Sequence, residues 1–199
     1  MIKPVLTRPK SKLALLFGLF FIAVSPLLAT MVPRMDLRSL TSTSGRILHG
    51  TVVTRWSAWD DSRRHIWTHY QIAVSEVLKG IPQTTFTLSE PGGIVGDTGM
   101  SISGVPQFEI GDEVVVFSFR TPAGYWRVRG FGQGKFNVIT SANGAKTVRN
   151  SPGSIVLFDP PSRGGMPSRV SLSAAAASGL SLEQFKGLVR SVMAGQEGN

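Results

Sequence analysis

The sequence contains no cysteine among its 199 residues. Disulfides, a lipoprotein anchor, a thiol nucleophile and any cysteine-ligated metal are therefore excluded. Charged residues are also few, at 17% of the chain, and beyond the N-terminal segment no apolar run approaches the length that crosses a bilayer. A domain of this composition has to be stabilised by its hydrophobic core alone.

Catalytic motifs are missing as well. Serine is common, but no Gly-x-Ser-x-Gly elbow occurs, and no histidine stands in the context of a catalytic triad. The carboxylates Asp60 and Asp61 are adjacent in sequence, as are Asp112 and Glu113. Adjacent strand residues point to opposite faces, so neither pair suits shared acid–base work. We therefore predict no catalytic residue and no cofactor.

Residues 1–29 have the pattern of an export signal. An apolar run from Leu13 to Val24 continues to Ala29 and is preceded by basic residues. These basic residues are Lys3, Arg8, Lys10 and Lys12. We predict a signal peptide or an N-terminal anchor. The rest of the chain is then exported: periplasmic, secreted, or held at the membrane through this segment alone.

The remaining chain has the composition of a β-rich domain, with abundant Val, Ile, Phe, Gly, Ser and Thr. Apolar and polar residues alternate from Arg46 and again from Ile66, on either side of a polar turn that begins at Asp60. This pattern predicts a long hairpin. Further strands are predicted at Thr84–Leu88, Val114–Phe119, Tyr125–Arg129, Lys135–Thr140 and Lys146–Val148. The strand at Val114–Phe119 lacks alternation, which is typical of burial on both faces.

The chain divides into four regions after the export segment. Residues 30–45 form a lead-in with a helical turn begun by Asp36, and residues 46–150 form the β-domain. Residues 151–180 are a linker rich in Pro, Gly, Ser and Ala. Residues 181–195 predict an amphipathic helix that opens with a capping box at Ser181 and ends at Gly195, docked on the β-domain or on a partner.

Together these elements predict an all-β fold, a small OB-like Greek-key β-barrel of about six to seven strands with a C-terminal amphipathic helix. Three motifs in roughly residues 46–140 support this architecture. They are Gly50-Thr51-Val52, Tyr70-x-Ile72-x-Val74-x-x-Val77-Leu78-Lys79-Gly80 and Phe108-x-x-Gly111-Asp112-Glu113-Val114-Val115-Val116-Phe117. This set resembles the netrin-like, tissue-inhibitor-of-metalloproteinase-type OB domains and similar exported bacterial domains. The inhibitory cysteine of that family is missing here.

A histidine and tryptophan cluster is the sharpest local candidate for a site. His65, Trp67 and His69 share one strand face, with Trp59 at the neighbouring strand end. Strand positions four apart are separated by about 13 Å, at ~3.3 Å per residue, which one metal ion cannot bridge. We therefore predict an exposed Trp/His face and no metal site, with a metal-dependent enzyme as an alternative hypothesis.

Basic residues concentrate in the second half of the chain. Between Arg120 and Arg169, eight basic residues accompany one acidic residue, Asp159. A basic-aromatic surface for an anionic glycan or lipid headgroup is predicted from Tyr125, Arg127, Arg129 and Lys135. The predicted export argues against a nucleic-acid partner. The Gly130-x-Gly132-x-Gly134-Lys135 motif lacks the full spacing of a phosphate loop and indicates a turn.

We therefore expect a non-catalytic, extracytoplasmic binding module. Its partner is predicted to be an envelope or extracellular protein, with an anionic polymer as the alternative. The expected contact surface includes the loop Gly92–Gly111 and the turn Asp60–His65. The candidate contact residues are Trp59, Trp67, His65, His69, Tyr125, Arg127, Arg129 and Lys135.

Overall fold

The computed structural model describes residues 31–150, 156–158 and 177–197. The strands are β1 (Met31–Pro33), β2 (Arg46–Trp59), β3 (Ile66–Lys79), β4 (Thr85–Pro91), β5 (Gly93–Val95), β6 (Thr98–Met100), β7 (Glu113–Arg120), β8 (Trp126–Val128), β9 (Lys135–Thr140), β10 (Lys146–Asn150) and β11 (Val156–Phe158). The helices are α1 (Leu37–Thr43) and α2 (Leu182–Glu197), with a 3-10 turn at Phe131–Gly134. The predicted export segment and most of the predicted linker lie outside the described residues.

The fold is mostly β and is organised by one seven-stranded antiparallel sheet. Its order is β10-β9-β7-β2-β3-β4, and β8 also pairs with β7. The chain thus runs through β2, β3 and β4 as a meander and then returns with β7 to the far side of β2. Two small pairs complete the β structure: β1 with β11 in parallel, and β5 with β6 as a hairpin.

The predicted long hairpin is confirmed as β2 and β3, two strands of 14 residues each. Their register pairs Trp59 with Ile66 at the turn and Ile47 with Lys79 at the other end. At the turn, the Asp60 Oδ1 atom accepts hydrogen bonds from the backbone N–H groups of Arg64 and His65. The side chain of Asp60 therefore holds this turn closed.

Strand β7 is buried on both faces, as its unbroken apolar run predicts. Val115 and Phe117 belong to a first core under the two helices, whereas Val114 and Val116 belong to a second core. The second core lies on the other face of the sheet and is filled mainly from its strands. It contains Leu48, Val52, Tyr70, Ile72, Phe86, Leu88, Phe108 and Val128. One central strand thus supports two separate hydrophobic layers.

The lead-in contains the predicted helical turn, since the Asp36 side chain accepts a hydrogen bond from the Ser39 N–H at 2.6 Å. The lead-in is held to the domain by the buried amide of Gln133. Its Oε1 accepts from the Met35 N–H at 2.8 Å, and its Nε2 donates to the Pro33 carbonyl at 3.0 Å. These bonds fix the segment that follows the predicted export signal.

Helix α2 begins with the predicted capping box. The Gln184 N–H donates to Ser181 Oγ at 3.2 Å, and the Ser181 N–H donates to Gln184 Oε1 at 3.1 Å. The helix docks on the sheet, where the fully buried Phe185 packs against other rings of the first core. The prediction that the helix ends at Gly195 is wrong, since the helix continues to Glu197. Gly195 lies in the exposed last turn, where a helical glycine costs only about 1 kcal/mol.

We predict that Phe185→Ala lowers the free energy of unfolding by about 3–5 kcal/mol, because it opens a cavity between α2 and the sheet. Denaturant unfolding measures this loss. Leu188→Ala on the same helix is the matched control, since Leu188 is exposed. Its substitution should cost about 1 kcal/mol or less. Equal losses for the two variants would contradict the docking of α2 through Phe185.

Candidate functional site

Next to the hairpin turn, the outward face of strands β2, β3 and β4 carries no charged side chain apart from the titratable His69. Farther along the same face, Glu76 and Lys79 contact the two helices. The register places side chains of the three strands side by side on this face. They are Thr54, Trp56, Ala58, Trp67, His69, Gln71, Ala73, Thr85, Thr87, Ser89 and Pro91. Aromatic residues with few charges around them are typical of the centre of an interface.

Four rings on this face form a continuous row of contacts, stacked at both ends and tilted in the middle, which we term the aromatic row. It consists of Trp56, His69, Tyr125 and Trp67. The ring centroids are 5.2 Å apart between Trp56 and His69, 6.1 Å between His69 and Tyr125, and 4.4 Å between Tyr125 and Trp67. Three strand positions and the residue that immediately precedes β8 therefore build a single surface.

The histidine in the row is held in its neutral form. Burial lowers the pKa of His69 below its ordinary value, and its Nδ1 lies 2.8 Å from the Ser89 hydroxyl. At neutral pH the aromatic row is consequently uncharged. Trp56, at the end of the row, has 43% of its surface exposed, so a large indole is available for contact.

A buried ion pair adjoins the row. The Arg127 guanidinium lies 5.9 Å from the Trp67 ring centroid and donates from Nε and Nη2 to Glu90 Oε2, at 3.2 and 3.0 Å. The other oxygen of Glu90 accepts the Val128 N–H at 2.6 Å. Burial raises the pKa of Glu90 to about 7, although Arg127 and the Val128 N–H oppose the shift. Glu90 thus ties strand β4 to strand β8.

The other predicted contact residues lie elsewhere. Trp59 is exposed and shares a face with Ile66, opposite to the aromatic row. His65 lies in the hairpin turn, with Nδ1 3.1 Å from Asp60 Oδ2. Two basic residues bind within the molecule instead of forming one surface with Tyr125 and Arg127. Arg129 donates to the Thr43 carbonyl and stacks on Phe119, whereas the buried Lys135 donates to the Gln107 carbonyl at 2.6 Å.

The histidines do not converge on a metal. His65 contacts Asp60, whereas His69 contacts Ser89 within the aromatic row. The third histidine, His49, lies 2.7 Å from Glu113 on the helix side of the sheet. In the described ranges, no group of three or more His, Asp or Glu side chains could hold a metal ion.

The glycine motif before β9 forms a 3-10 turn, as the sequence indicates. A Cβ atom on Gly134 would lie 2.6 Å from the Arg129 carbonyl oxygen, so the backbone packs too tightly there for a side chain. Gly130 has a φ of 67°, which favours glycine. The turn positions Lys135 for its contact with Gln107.

Sequence reasoning missed Glu90, although a signal was present. Phe86 and Leu88 point inward, and the two-residue period places the next inward position at Glu90. A carboxylate at an inward position requires a partner. Its partner, Arg127, is 37 residues away in the sequence, so the pattern alone does not identify it.

Comparison with known protein families finds no family that matches this chain. Comparison with curated proteins likewise finds no significant relative. Among the residues that the structure describes, no helix has both the length and the apolar character needed to cross a membrane.

We predict that Glu90→Gln removes a pH dependence of stability. Because the folded pKa is raised from 4.5 to about 7, the stability that Glu90 contributes is complete below about pH 4.5 and is lost as the pH rises through about 7. The free energy of unfolding is measured near pH 5 and near pH 8. Between these two pH values, that of the wild type should fall by on the order of 2 kcal/mol more than that of Glu90→Gln. An unchanged pH dependence would contradict the assignment, and the exposed Glu109→Gln serves as the control.

Proposed function

We propose that this chain is an extracytoplasmic, non-catalytic binding module that recognises a protein partner through the aromatic row. The observation that carries the proposal is the contiguous row of Trp56, His69, Tyr125 and Trp67 on the part of the sheet face next to the hairpin turn, where the strands carry no formal charge. The extracytoplasmic location is supported by the basic and apolar pattern of residues 1–29.

The composition and order of the row favour a protein partner. Tryptophan, tyrosine and arginine dominate binding energy at protein interfaces, where charged residues are depleted from the centre. The stacked rings and the Glu90-bound Arg127 are already held in position, so binding would order few additional side chains. We infer that the partner presents an apolar, uncharged surface to this row.

An anionic glycan or lipid headgroup is the less favoured partner. Such a ligand needs several basic side chains directed to solvent at one place. Arg127, Arg129 and Lys135 instead bind Glu90, the Thr43 carbonyl and the Gln107 carbonyl. A metal-dependent enzyme has no observation in its favour among the described residues.

We further propose that the domain is an OB-like Greek-key barrel of the netrin-like type. The return of β7 beside β2 yields the spatial order β7-β2-β3-β4, which supports a Greek key. Contact between β4 and β8 through Glu90 and Val128 supports a sheet that curves toward closure. The terminal helix packed beside the sheet agrees with this architecture.

The decisive test compares two exposed tryptophans of the same strand. Trp56 and Trp59 are 43% and 38% exposed, but only Trp56 belongs to the aromatic row. Immobilised wild type, Trp56→Ala and Trp59→Ala would be incubated with envelope and secreted extract and washed at low and then high salt. A partner protein should survive high salt on wild type and on Trp59→Ala, and should be bound about 30-fold more weakly by Trp56→Ala.

A second readout ties the partner to the row. With the purified partner, tryptophan emission of the module should change on binding, and this change should be lost in Trp56→Ala but kept in Trp59→Ala. Release of anionic material by salt, with no protein in near-equal amount, would overturn the proposal. Equal weakening by the two substitutions would also overturn it, since the row would then have no special role.

A further inference from the structure

A cleft of about 550 Å³ opens on the inward side of the same strands, on the opposite face from the aromatic row. Its volume is within the range of small-molecule sites. It lies where the second core ends, above the ring of Tyr70. Its lining includes the inward positions Arg55, Ser57, Thr68, Tyr70 and Glu90.

Small polar side chains create this cleft. Deeper in the curved sheet, inward positions carry large apolar groups such as Ile72 and Leu88, whereas at the cleft they carry Ser57 and Thr68. The Thr68 hydroxyl donates to the Gly92 carbonyl at 2.7 Å and lies 2.9 Å from the Ser57 hydroxyl. The floor is therefore polar and is hydrogen-bonded to the backbone at Gly92.

Arg55 provides a cation at the cleft. Its Nη1 atom donates to both carboxylate oxygens of Glu109, at 2.9 and 3.0 Å. The side chains of Arg55 and Glu109 are 43% and 71% exposed, and exposed pairs of this kind are weak and exchangeable. The contact with Glu109 thus shows that Arg55 can bind a carboxylate.

Apolar groups stand beside this cation. Ile94 and Ile102 line the cleft and are 73% and 42% exposed, and Met100 and Val105 line it with them. Large exposed apolar side chains around one cleft indicate contact with an apolar group. The buried Glu90 does not repel an anion strongly, because Arg127 and the Val128 N–H pair with its carboxylate.

We propose that this cleft binds a small amphipathic carboxylate, which replaces Glu109 on Arg55 and lays its apolar part against Ile102 and Met100. The chemistry is shared by a short free fatty acid and by the apolar C-terminus of a peptide. This ligand site is independent of the aromatic row, since the two surfaces lie on opposite faces of β2 and β3.

The test uses octanoate as the probe and its neutral amide, octanamide, as the matched control. An apolar tripeptide with a free C-terminal carboxylate, compared with its C-terminal amide, provides the second source. In nitrogen–proton NMR spectra, an acid should shift the amide signals of Gly92, Gly93 and Gly99, which line the cleft. The distant Gly144 should stay unshifted, and the more tightly bound acid identifies the source.

Two charge variants test the exchange on Arg55. Arg55→Gln should weaken binding of the acid by about tenfold or more, because a charge-assisted hydrogen bond is lost. Glu109→Gln should tighten binding by up to about fivefold, because it removes the competing carboxylate. Arg64→Gln, at the hairpin turn outside the cleft, should change nothing. Preserved dispersion of the NMR spectra verifies that each variant is folded.

Each of the following outcomes would overturn the proposal. The first is that neither acid shifts the three glycine amides. The second is that the neutral amides bind as tightly as the acids. The third is that Arg55→Gln binds as wild type does, or that Glu109→Gln fails to tighten binding.

Discussion

The rest of this structure depends on one interaction, which is made by the buried carboxylate of Glu90. It joins β4 to β8 by accepting hydrogen bonds from Arg127 and from the Val128 N–H. A buried ion pair of this kind gains little net stability, but removing one partner is costly, because the other is left uncompensated. Its effect here is geometric: it determines where β8 lies against the edge of the sheet and where the Arg127 guanidinium points.

Both proposed surfaces depend on this contact between β4 and β8. On the outward side, Arg127 lies against Trp67, whose ring also stacks on Tyr125. On the inward side, Glu90 is part of the floor of the cleft. Because successive strand residues point to opposite faces, β2 and β3 can present an aromatic surface and a ligand cleft at once. The two surfaces share a scaffold without sharing contact side chains.

Local elements were predictable because their signals lie within a few residues of one another. The hairpin of β2 and β3, the doubly buried β7 and the capping box of α2 each follow from periodicity or from one short motif. The partners of the basic residues were not predictable in the same way. Charge in the sequence does not identify the partner of each group, and Lys135 meets Gln107 across 28 residues.

The sequence by itself determined the β-rich class, the seven strands of the main sheet, the terminal helix and the aromatic residues that could form a surface, but not the short strands β1, β5 and β6. Only the tertiary structure decided that α2 packs on the sheet, that Trp56 joins the row while Trp59 faces away, and that Arg127 is held by Glu90. The physical reason is the distance along the sequence over which each interaction acts. Backbone preferences and two-residue alternation act locally, whereas ion pairs and ring stacks depend on strand register and sheet curvature, which distant segments set together.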